Sequence, residues 1–337
     1  METQTTFTTG PYRGEADLQA VCDLVNVCNE VDRLEEEPYA TPATFGAWLA
    51  SPDVLDKERD IRVWQDAGGR VVGLGRLRVA EEPEEGKVDT YLYFRVHPDV
   101  RDTGLDNEVI EWAGDVARQM GRERKMPAFV RSGLHVSTPE YVAYRQELLE
   151  ANDFRPVRYM YKMARPLAEP IPEPEFPEGF TLSQGQGEAD AEQWVEMFNE
   201  TFIDSWNFHP MGVEDRKHIL ESPNYDPELD LIAVAPDSTY VAFSQCGIDP
   251  EDNAAYHRNE GWVHVLGTRR GFRKLGLGRS LLLASMRRLK AAGVDTAVLG
   301  VDAESPTGAL RLYELVGFVK ANTSVVYEKD LEEVRKT

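Results

Sequence analysis

Cysteine is scarce in this chain, and the features that mark secreted or membrane proteins are missing. Only Cys22, Cys28 and Cys246 occur, and their number and spacing exclude a disulfide framework and a cysteine-based zinc site. No run of 18 apolar residues is present, and the polar start METQTTFTTG lacks the basic and apolar regions of a secretory signal. We therefore expect buried structural thiols and a cytoplasmic protein.

Basic residues are also few. The chain has 37 Lys and Arg against 59 Asp and Glu, a formal net charge of −22, which excludes nucleic acid and anionic membrane as main partners because both need a broad basic surface. One zone departs from this balance. From Arg269 to Lys290 there are eight basic residues and no acidic one, so we expect a small anionic ligand there.

The length of 337 residues, with 42% hydrophobic and 28% charged residues, predicts about two folded domains. Residues 166–179, PLAEPIPEPEFPEG, contain five prolines, a composition that disfavours helix and sheet and is typical of an extended spacer. This predicts a linker over 166–179, an N-terminal domain over 1–165 and a C-terminal domain over 180–337.

The two halves are related in sequence. GEAD occurs at residues 14–17 and 187–190, RVVGLGRLRV from residue 70 matches TYVAFSQCGI from residue 239, and LLEANDF matches LYELVGF. We infer that one unit is present twice. Each copy is predicted to run strand, helix pair, antiparallel strands, glycine-rich turn, long helix, strand, helix, strand, a mixed α/β layout.

The best-defined segment follows the strand GWVHVLGT. The turn RRGFRKLGLGRS opens into the helix RSLLLASMRRLKAAG, and the strand TAVLGVD comes next. SPTGALRLYELVGF then reads as a helix with Ser305 at the N-cap, Pro306 at its first position and Gly317 at its end.

The turn is suited to a diphosphate. Helix amides and the positive end of the helix dipole face the turn, and Gly276 and Gly278 have no Cβ to keep phosphate oxygens away. A Walker loop is excluded because Gly278 is followed by Arg279 and Ser280, and the dinucleotide fingerprint is excluded because its third glycine position holds Leu281.

The pattern R-x-x-G-x-G, formed by Arg273, Gly276 and Gly278, together with VDAESPTGALRLYELVGF, resembles the GNAT superfamily of N-acetyltransferases. The resemblance implies two tandem GNAT domains, each a mostly antiparallel twisted sheet flanked by helices, an arrangement most similar to that of mycothiol synthases. It implies acetyl-CoA as co-substrate, a small-molecule amine as acceptor, no metal, and a monomer or homodimer.

The resemblance also implies roles for individual residues. Tyr313 is the expected general acid, and His264, or Glu260 through water, the expected base. Gly267 is expected at a β-bulge that frees strand amides. The expected CoA-binding residues are Val265, Leu266, Gly267, Thr268, Arg273, Lys274, Leu275, Gly276, Leu277, Gly278, Arg279, Ser280, Ser305 and Arg311. The expected acceptor-binding residues are Asp204, Trp206, Phe208, His209 and Trp262, with Phe202 in the same aromatic cluster.

The first copy lacks key groups of this pattern. Asp106 stands where the second copy has Gly278, and Leu149 stands where it has Tyr313, so we expect a degenerate GNAT domain that binds no acyl donor. Other interpretations stay open at this point. Tyr313 and the aromatic cluster fit plain core packing, the donor could carry a longer acyl chain, and the protein could bind a CoA derivative without catalysis.

Overall fold

The computed structural model describes residues 6–34, 37–51, 56–82, 87–123, 131–206 and 208–331. No helix in these ranges combines the length and the apolar character needed to cross a membrane. The strands are β1 (Thr8–Pro11), β2 (Ile61–Gln65), β3 (Val71–Glu82), β4 (Lys87–Val96), β5 (Arg131–Pro139), β6 (Arg155–Pro166), β7 (Thr181–Gln184), β8 (Tyr225–Val234), β9 (Tyr240–Gly247), β10 (Glu260–Thr268), β11 (Thr296–Asp302) and β12 (Val319–Leu331). The α-helices are α1 (Glu15–Asp32), α2 (Pro42–Leu49), α3 (Lys57–Asp60), α4 (Leu105–Glu123), α5 (Ala143–Ala151), α6 (Ala191–Phe202), α7 (Val213–Leu220), α8 (Pro250–Ala255), α9 (Leu277–Ala291) and α10 (Ala309–Leu315).

The chain forms two compact units, and the first unit contains residues from both ends of the described chain. The first unit contains the described residues up to Arg158 together with those from Ser324 onward, and the second unit contains Tyr159–Thr323. Strand β6 therefore begins in the first unit and ends in the second, whereas β12 begins in the second and ends in the first. Relative to the expected bounds, residues 159–179 group with the second unit and 324–331 with the first.

In the first unit the strand order is β1-β2-β3-β4-β5-β12. Neighbouring strands are antiparallel except for β4 and β5, which are parallel. Residues Ser324–Leu331 of β12 pair with β5 in the register Ser324↔Pro139 to Leu331↔Ser132. The core lies between this sheet and α4, whose Leu105, Val109 and Ile110 are fully buried.

In the second unit the strand order is β6-β11-β10-β9-β8-β7. Only β10 and β11 are parallel, so both units have the mostly antiparallel mixed α/β layout that the sequence predicts. Helix α9 packs on this sheet. Its predicted core face is confirmed, since every member is buried: Leu281, Leu282, Ser285, Met286 and Leu289.

The GEAD repeat forms the same turn in both units. Gly14 and Gly187 have φ values of 67° and 71°, the left-handed region that glycine enters without strain. Asp17 accepts a hydrogen bond from the backbone N–H of Arg13 at 2.8 Å, and Asp190 accepts one from the N–H of Gln186 at 2.9 Å. GEAD is therefore a structural turn that opens the first helix of each unit.

The glycine-rich turns also match. Gly104 and Gly276 precede α4 and α9 with φ values of 88° and 91°. Arg101 and Arg273 each donate from Nε to the backbone carbonyl five residues earlier, at 3.3 and 3.2 Å. The arginine of the R-x-x-G pattern fastens the turn to the preceding strand in both copies.

The last helix of each copy ends in the same way. The N–H of Phe154 donates to the carbonyl of Leu149 at 3.0 Å, and the N–H of Phe318 donates to that of Tyr313 at 3.0 Å. Leu149 thus occupies the position of Tyr313 in the first unit, as the sequence comparison expects.

The start of α10 differs from the expectation. The prediction of Ser305 as its N-cap is wrong, because α10 begins at Ala309 and its N-cap is Gly308, with φ 75°. Residues 305–308 form a turn instead, in which the N–H of Gly308 donates to the carbonyl of Ser305. The left-handed conformation of Gly308 interrupts a helix that would otherwise start at Pro306.

The proline-rich segment has no regular structure, as its composition predicts, and it contacts α9. Arg287 pairs with Glu173 at 2.7 Å and donates to the carbonyl of Ile171 at 3.1 Å. Ser280 and Lys290 donate to the carbonyls of Glu175 and Leu167. The segment is fixed along the helix within the second unit.

A fully buried ion pair supports the second unit. Arg216 of α7 and Asp230 of β8 have no exposed side-chain surface and contact each other directly. The guanidinium lies 4.0 Å from the ring centroid of Trp194, and the hydroxyl of Tyr225 donates to Asp230 at 2.9 Å. A buried carboxylate is stable only while such partners are present.

We expect Arg216→Met to destabilise the protein by about 3–5 kcal/mol, because it leaves Asp230 buried without its counter-charge. Urea unfolding followed by circular dichroism measures this loss. The matched control is Lys217→Met at the next position, where the exposed pair with Glu214 should contribute nothing measurable. Equal stability of the two variants would contradict the assignment.

Candidate active site

Strand β10 separates from β11 halfway along its length. The parallel pairing with β11 covers Glu260 to Val263 only, whereas the pairing with β9 continues to Thr268. The β9 register shifts between Val263 and Val265, a β-bulge that leaves His264 out of the ladder. Beyond the bulge, the β10 edge that faces β11 has no strand partner in the described part of the chain, so its amides are open to a ligand.

Gly267 is not the bulge residue, and that expectation is wrong. A Cβ at this position would lie 2.4 Å from Cγ2 of Thr201 and 3.2 Å from the ring of Phe243. The missing side chain lets α6 pack closely on β10. Gly267 is therefore a packing requirement, and the bulge arises three residues earlier.

The turn before α9 presents free backbone amides. Lys274 and Gly276 have φ values of 68° and 91°, and no side chain caps the helix. The first helical bond runs from the N–H of Ser280 to the carbonyl of Gly276. Within the described residues the amides of Leu277, Gly278 and Arg279 have no acceptor, so the 15-residue helix offers three donors and its dipole to an anion.

Most of the basic zone is neutralised by the protein itself. The carboxylate partners are Glu196 and Glu200 for Arg269, Asp204 for Arg270 and Arg273, Glu173 for Arg287, and Glu228 for Arg288. Lys290 donates to a backbone carbonyl. Lys274 and Arg279 are exposed and have no ion pair within the described residues. Lys274 and Arg279, the two exposed cations without an ion pair, therefore flank the turn that carries the free amides.

Arg273 is held by protein groups. Its guanidinium donates to Asp204 at 2.9 Å and to the carbonyl of Thr201 at 2.8 Å. In the first unit Arg101 forms the same kind of pair with Asp32 at 2.7 Å. Because the first unit keeps this contact as well, the arginine holds the turn in position in both units.

Asp204 is also paired with protein groups. The hydrogen bonds from Arg270 and Arg273 lower the pKa of its carboxyl, and its charge is paired, so it does not serve as a ready counter-ion for a cationic acceptor. The ring contacts of Phe202 are with Phe198 at 4.9 Å and Phe243 at 6.1 Å, in the core. Trp206 is exposed, Phe208 and His209 are partly buried, and their role in acceptor binding stays a prediction.

Tyr313 lies on α10, directly after Leu312, which faces the start of α9. A Cβ at Gly278 would lie 3.5 Å from Oγ1 of Thr268 and 3.6 Å from Cδ2 of Leu312. Tyr313 belongs to one core cluster with Leu299 of β11. Burial raises the pKa of Tyr313 to about 12.

His264 and Trp262 form a stacked pair on β10, with ring centroids 6.4 Å apart and an interplanar angle of 8°. Room for the imidazole comes from Gly247, where a Cβ would lie 2.6 Å from Nε2. The His264 side chain is exposed, yet the surrounding protein desolvates it and lowers its pKa from the usual value. The lowered pKa favours the neutral imidazole, which is the form that can accept a proton.

Glu260 forms ion pairs with two cations. Lys162 of β6 lies 3.2 Å from its carboxylate and 5.2 Å from the centroid of Trp262, and Arg258 lies 3.6 Å from the carboxylate. Sequence reasoning missed Lys162, because it precedes Glu260 by 98 residues and reaches β10 only through the sheet. No local signal marks it.

The remaining predicted residues lie in different environments. Leu275 is exposed beside Lys274. Ser280 is buried and directs its hydroxyl to the carbonyl of Glu175, away from the free amides. Ser305 bonds to the hydroxyl of Thr307 at 2.9 Å, and Arg311 is exposed on α10. Val265 and Leu266 line the open edge of β10 with Thr268.

The first unit does not reproduce this site. Asp106 is buried at the second position of α4, and burial raises the pKa of its carboxyl to about 6. Leu149, which is fully buried, replaces the tyrosine. An acid at the helix start is unfavourable for an anion, and the expectation that the first unit binds no acyl donor stays a prediction.

Comparison with known proteins agrees with this geometry. Residues 191–318 match the family model for the acetyltransferase (GNAT) family. The chain is 30% identical over 284 residues to mycothiol acetyltransferase from Nocardiopsis dassonvillei, covering 77% of this chain and 78% of that protein. It is 34% identical over 172 residues to mycothiol acetyltransferase from Thermobispora bispora, covering 51% of this chain and 57% of that protein.

The fold comparison gives the same answer over the full length. A GCN5-related N-acetyltransferase from Sphaerobacter thermophilus has a TM-score of 0.70 and 26% identity, covering 97% of this chain and 96% of that one. The chain belongs to the GNAT acetyltransferase family, whose co-substrates are acyl-CoA thioesters. It is an N-acetyltransferase of this family with two tandem units, similar to the mycothiol acetyltransferases.

We expect the imidazole of His264 to titrate below about 6.5 in the folded protein, because desolvation penalises its charged form. Histidine-labelled NMR over a pH series measures this pKa, with His264→Gln to assign the signal. In urea the value should return to about 6.5. A folded-state pKa equal to or above the unfolded one would contradict the cleft environment.

Proposed function

We propose that the second unit transfers the acetyl group of acetyl-CoA to a primary amine of a small molecule by direct attack. The observation that supports this proposal is that three features lie close together. A Cβ at Gly278, in the turn with the free amides, would lie 3.5 Å from Thr268 of the opened β10 edge and 3.6 Å from Leu312, the neighbour of Tyr313. We infer that the donor-binding amides, the strand edge and the phenol belong to one cleft.

The donor's diphosphate would bind the free amides of Leu277, Gly278 and Arg279, with Lys274 and Arg279 supplying positive charge. The residues fit this group, because Gly278 leaves the helix start open and no side chain caps it. The amide groups of the pantetheine arm would pair with the open edge of β10 as a further strand does. The same edge would donate to the thioester carbonyl.

Tyr313 would act on the leaving sulfur. With its pKa raised to about 12, the phenol stays protonated at every physiological pH and has a proton to donate. A thiol has a pKa of about 8.5, so complete transfer from the phenol is uphill. The hydroxyl therefore contributes mainly as a hydrogen-bond donor while negative charge develops on sulfur, and the thiolate takes its final proton from water.

His264 is the better candidate for the base. Its imidazole is neutral at pH 7, exposed to the cleft, and able to accept a proton from an ammonium group or from an intervening water. Glu260 already faces Lys162 and Arg258, so accepting a proton would cost it two ion pairs. We assign Glu260 and Lys162 to the acceptor-binding wall, together with Trp262.

The acceptor is proposed as a small polar amine. The relatives are named for mycothiol, so the amine precursor of that thiol is the first acceptor to test. Thiol release from acetyl-CoA over a panel of amines identifies the acceptor, and competition with longer acyl-CoA thioesters defines the donor. No turnover with any amine, despite donor binding, would favour the alternative of a CoA-derivative-binding protein.

We expect Tyr313→Phe to lower kcat by about 10²-fold, because the ring remains and only the hydrogen bond to sulfur is lost. Donor affinity, measured by calorimetry, should stay within about twofold, since the hydroxyl does not contact the diphosphate. Leu312→Met, at the neighbouring position, is the packing control and should keep most of the activity. Unchanged turnover in Tyr313→Phe would remove this residue from the mechanism.

We expect Gly278→Asp to reduce affinity for acetyl-CoA by about 100-fold or more, because it places a carboxylate where the diphosphate binds, as Asp106 does in the first unit. The matched control is Gly278→Ala. Its Cβ would meet only ordinary contacts of 3.5 and 3.6 Å, so this variant should fold normally and lose less affinity. Full donor binding in the aspartate variant would overturn the assignment of the turn.

A further inference from the structure

The first unit contains a buried cluster of one histidine and two carboxylates. Asp89 lies on β4, His135 on β5 and Glu328 on β12, and one donor atom from each lies within 4.8 Å of the others. Their relative exposures are 1%, 2% and 8%, so all three are inside the protein. Nε2 of His135 is 2.9 Å from Oδ1 of Asp89.

The sheet register fixes this arrangement. Asp89 pairs directly with Gly133 across β4 and β5, and Glu328 pairs directly with His135 across β5 and β12. Gly133 and His135 are two residues apart, so they face the same side of the sheet. The three donor side chains therefore project from adjacent, hydrogen-bonded strands to one side.

The absence of a side chain at Gly133 leaves room beside the donors. A Cβ at this position would lie 3.0 Å from Nε2 of His135, 3.1 Å from Oδ1 of Asp89 and 3.1 Å from Oε1 of Glu328. Three donor atoms of the kinds that bind metals thus border the space that a side chain at position 133 would occupy. Metal–ligand bonds of about 2.0–2.3 Å need only small side-chain shifts from this starting geometry.

Two neighbouring groups contact the cluster. The ring of Tyr91 stacks on His135, with centroids 5.0 Å apart and an interplanar angle of 23°, which restricts the orientation of the imidazole. The other carboxylate oxygen of Glu328 faces the exposed Arg155 at 3.7 Å. Glu328 and Arg155 also line a surface pocket of about 490 Å³.

We propose that Asp89, His135 and Glu328 bind one divalent transition-metal ion, with Zn²⁺ or Mn²⁺ as the matching class. An imidazole and two carboxylates form a donor set for these ions, whereas Mg²⁺ and Ca²⁺ prefer oxygen ligands alone. The bound ion links β4, β5 and β12, so its role is structural. This proposal concerns the first unit and does not depend on the proposed function of the second.

The test uses the full chain, stripped with EDTA and then titrated with ZnCl₂ and, separately, MnCl₂. We expect calorimetry to give one site for at least one of these ions and differential scanning fluorimetry to show a rise in melting temperature, neither of which MgCl₂ reproduces. Absence of binding by both ions, or equal binding of magnesium, would overturn the proposal.

Variants locate the site. Asp89→Asn and Glu328→Gln keep the shape of each side chain and should weaken binding at least tenfold. Gly133→Ala keeps all three donors but fills the space beside them, and it should also weaken binding. Asp99→Asn is the control, because the exposed Asp99 lies 3.5 Å from the partly buried His97 and the described residues add no third metal ligand to this pair. Unchanged affinity in both carboxylate variants would overturn the site.

A measurement on the unmodified chain covers the case in which the variants fail to fold. In protein labelled with ¹⁵N-histidine, the ion of the calorimetric site should replace the hydrogen bond at Nε2 of His135 and shift that nitrogen's resonance; zinc is the probe, being diamagnetic. The other histidine signals should stay in place. A saturating zinc titration that leaves His135 unshifted, or shifts a different histidine, contradicts the proposal.

Discussion

The separation of β10 from β11 after Val263 is the constraint on which the rest of the second unit depends. The bulge at His264 turns the strand out of the parallel ladder while β9 continues to hold its other edge. Without that opening, the amides beyond the bulge would pair with β11. Gly267, just beyond the bulge, lets α6 pack closely on β10. A fixed opening in an otherwise continuous sheet is what makes a cleft here.

Comparison of the two units separates architecture from chemistry. Both keep the GEAD turn, the left-handed glycine before the long helix, and the arginine that ties the turn to the strand before it. They differ at the second helix position, Asp106 against Gly278, and at the last helix, Leu149 against Tyr313. Features that both units keep serve the fold, and the arginine contact with the preceding strand is one of them. The features confined to the second unit are those that we propose for donor binding and catalysis, and a contact of Arg273 with CoA stays a prediction.

Local patterns predicted the segment around the turn well. The strands GWVHVLGT and TAVLGVD, and the buried face of α9, are set by residue periodicity, which sequence displays directly. The neutralisation of Arg269, Arg270 and Arg273 was not predictable, because their acidic partners lie on α6 or just after its end, about 70 residues earlier. Lys162 was not predictable either, because it is far in sequence from Glu260. The cluster of Asp89, His135 and Glu328 was missed for the same reason, since its members come from three strands. The prediction of Ser305 as the N-cap of α10 was wrong for a local reason: the left-handed conformation of Gly308 makes the helix begin later, although Ser305 is a good capping residue.

The pairing of β5 with β12 has a consequence for biosynthesis. The partner of β5, Ser324–Leu331, is translated only after the whole of the second unit. Until then β5 has an unpaired edge, the kind of surface that invites wrong association. The nascent chain must therefore keep the first unit incomplete until Ser324–Leu331 has been made.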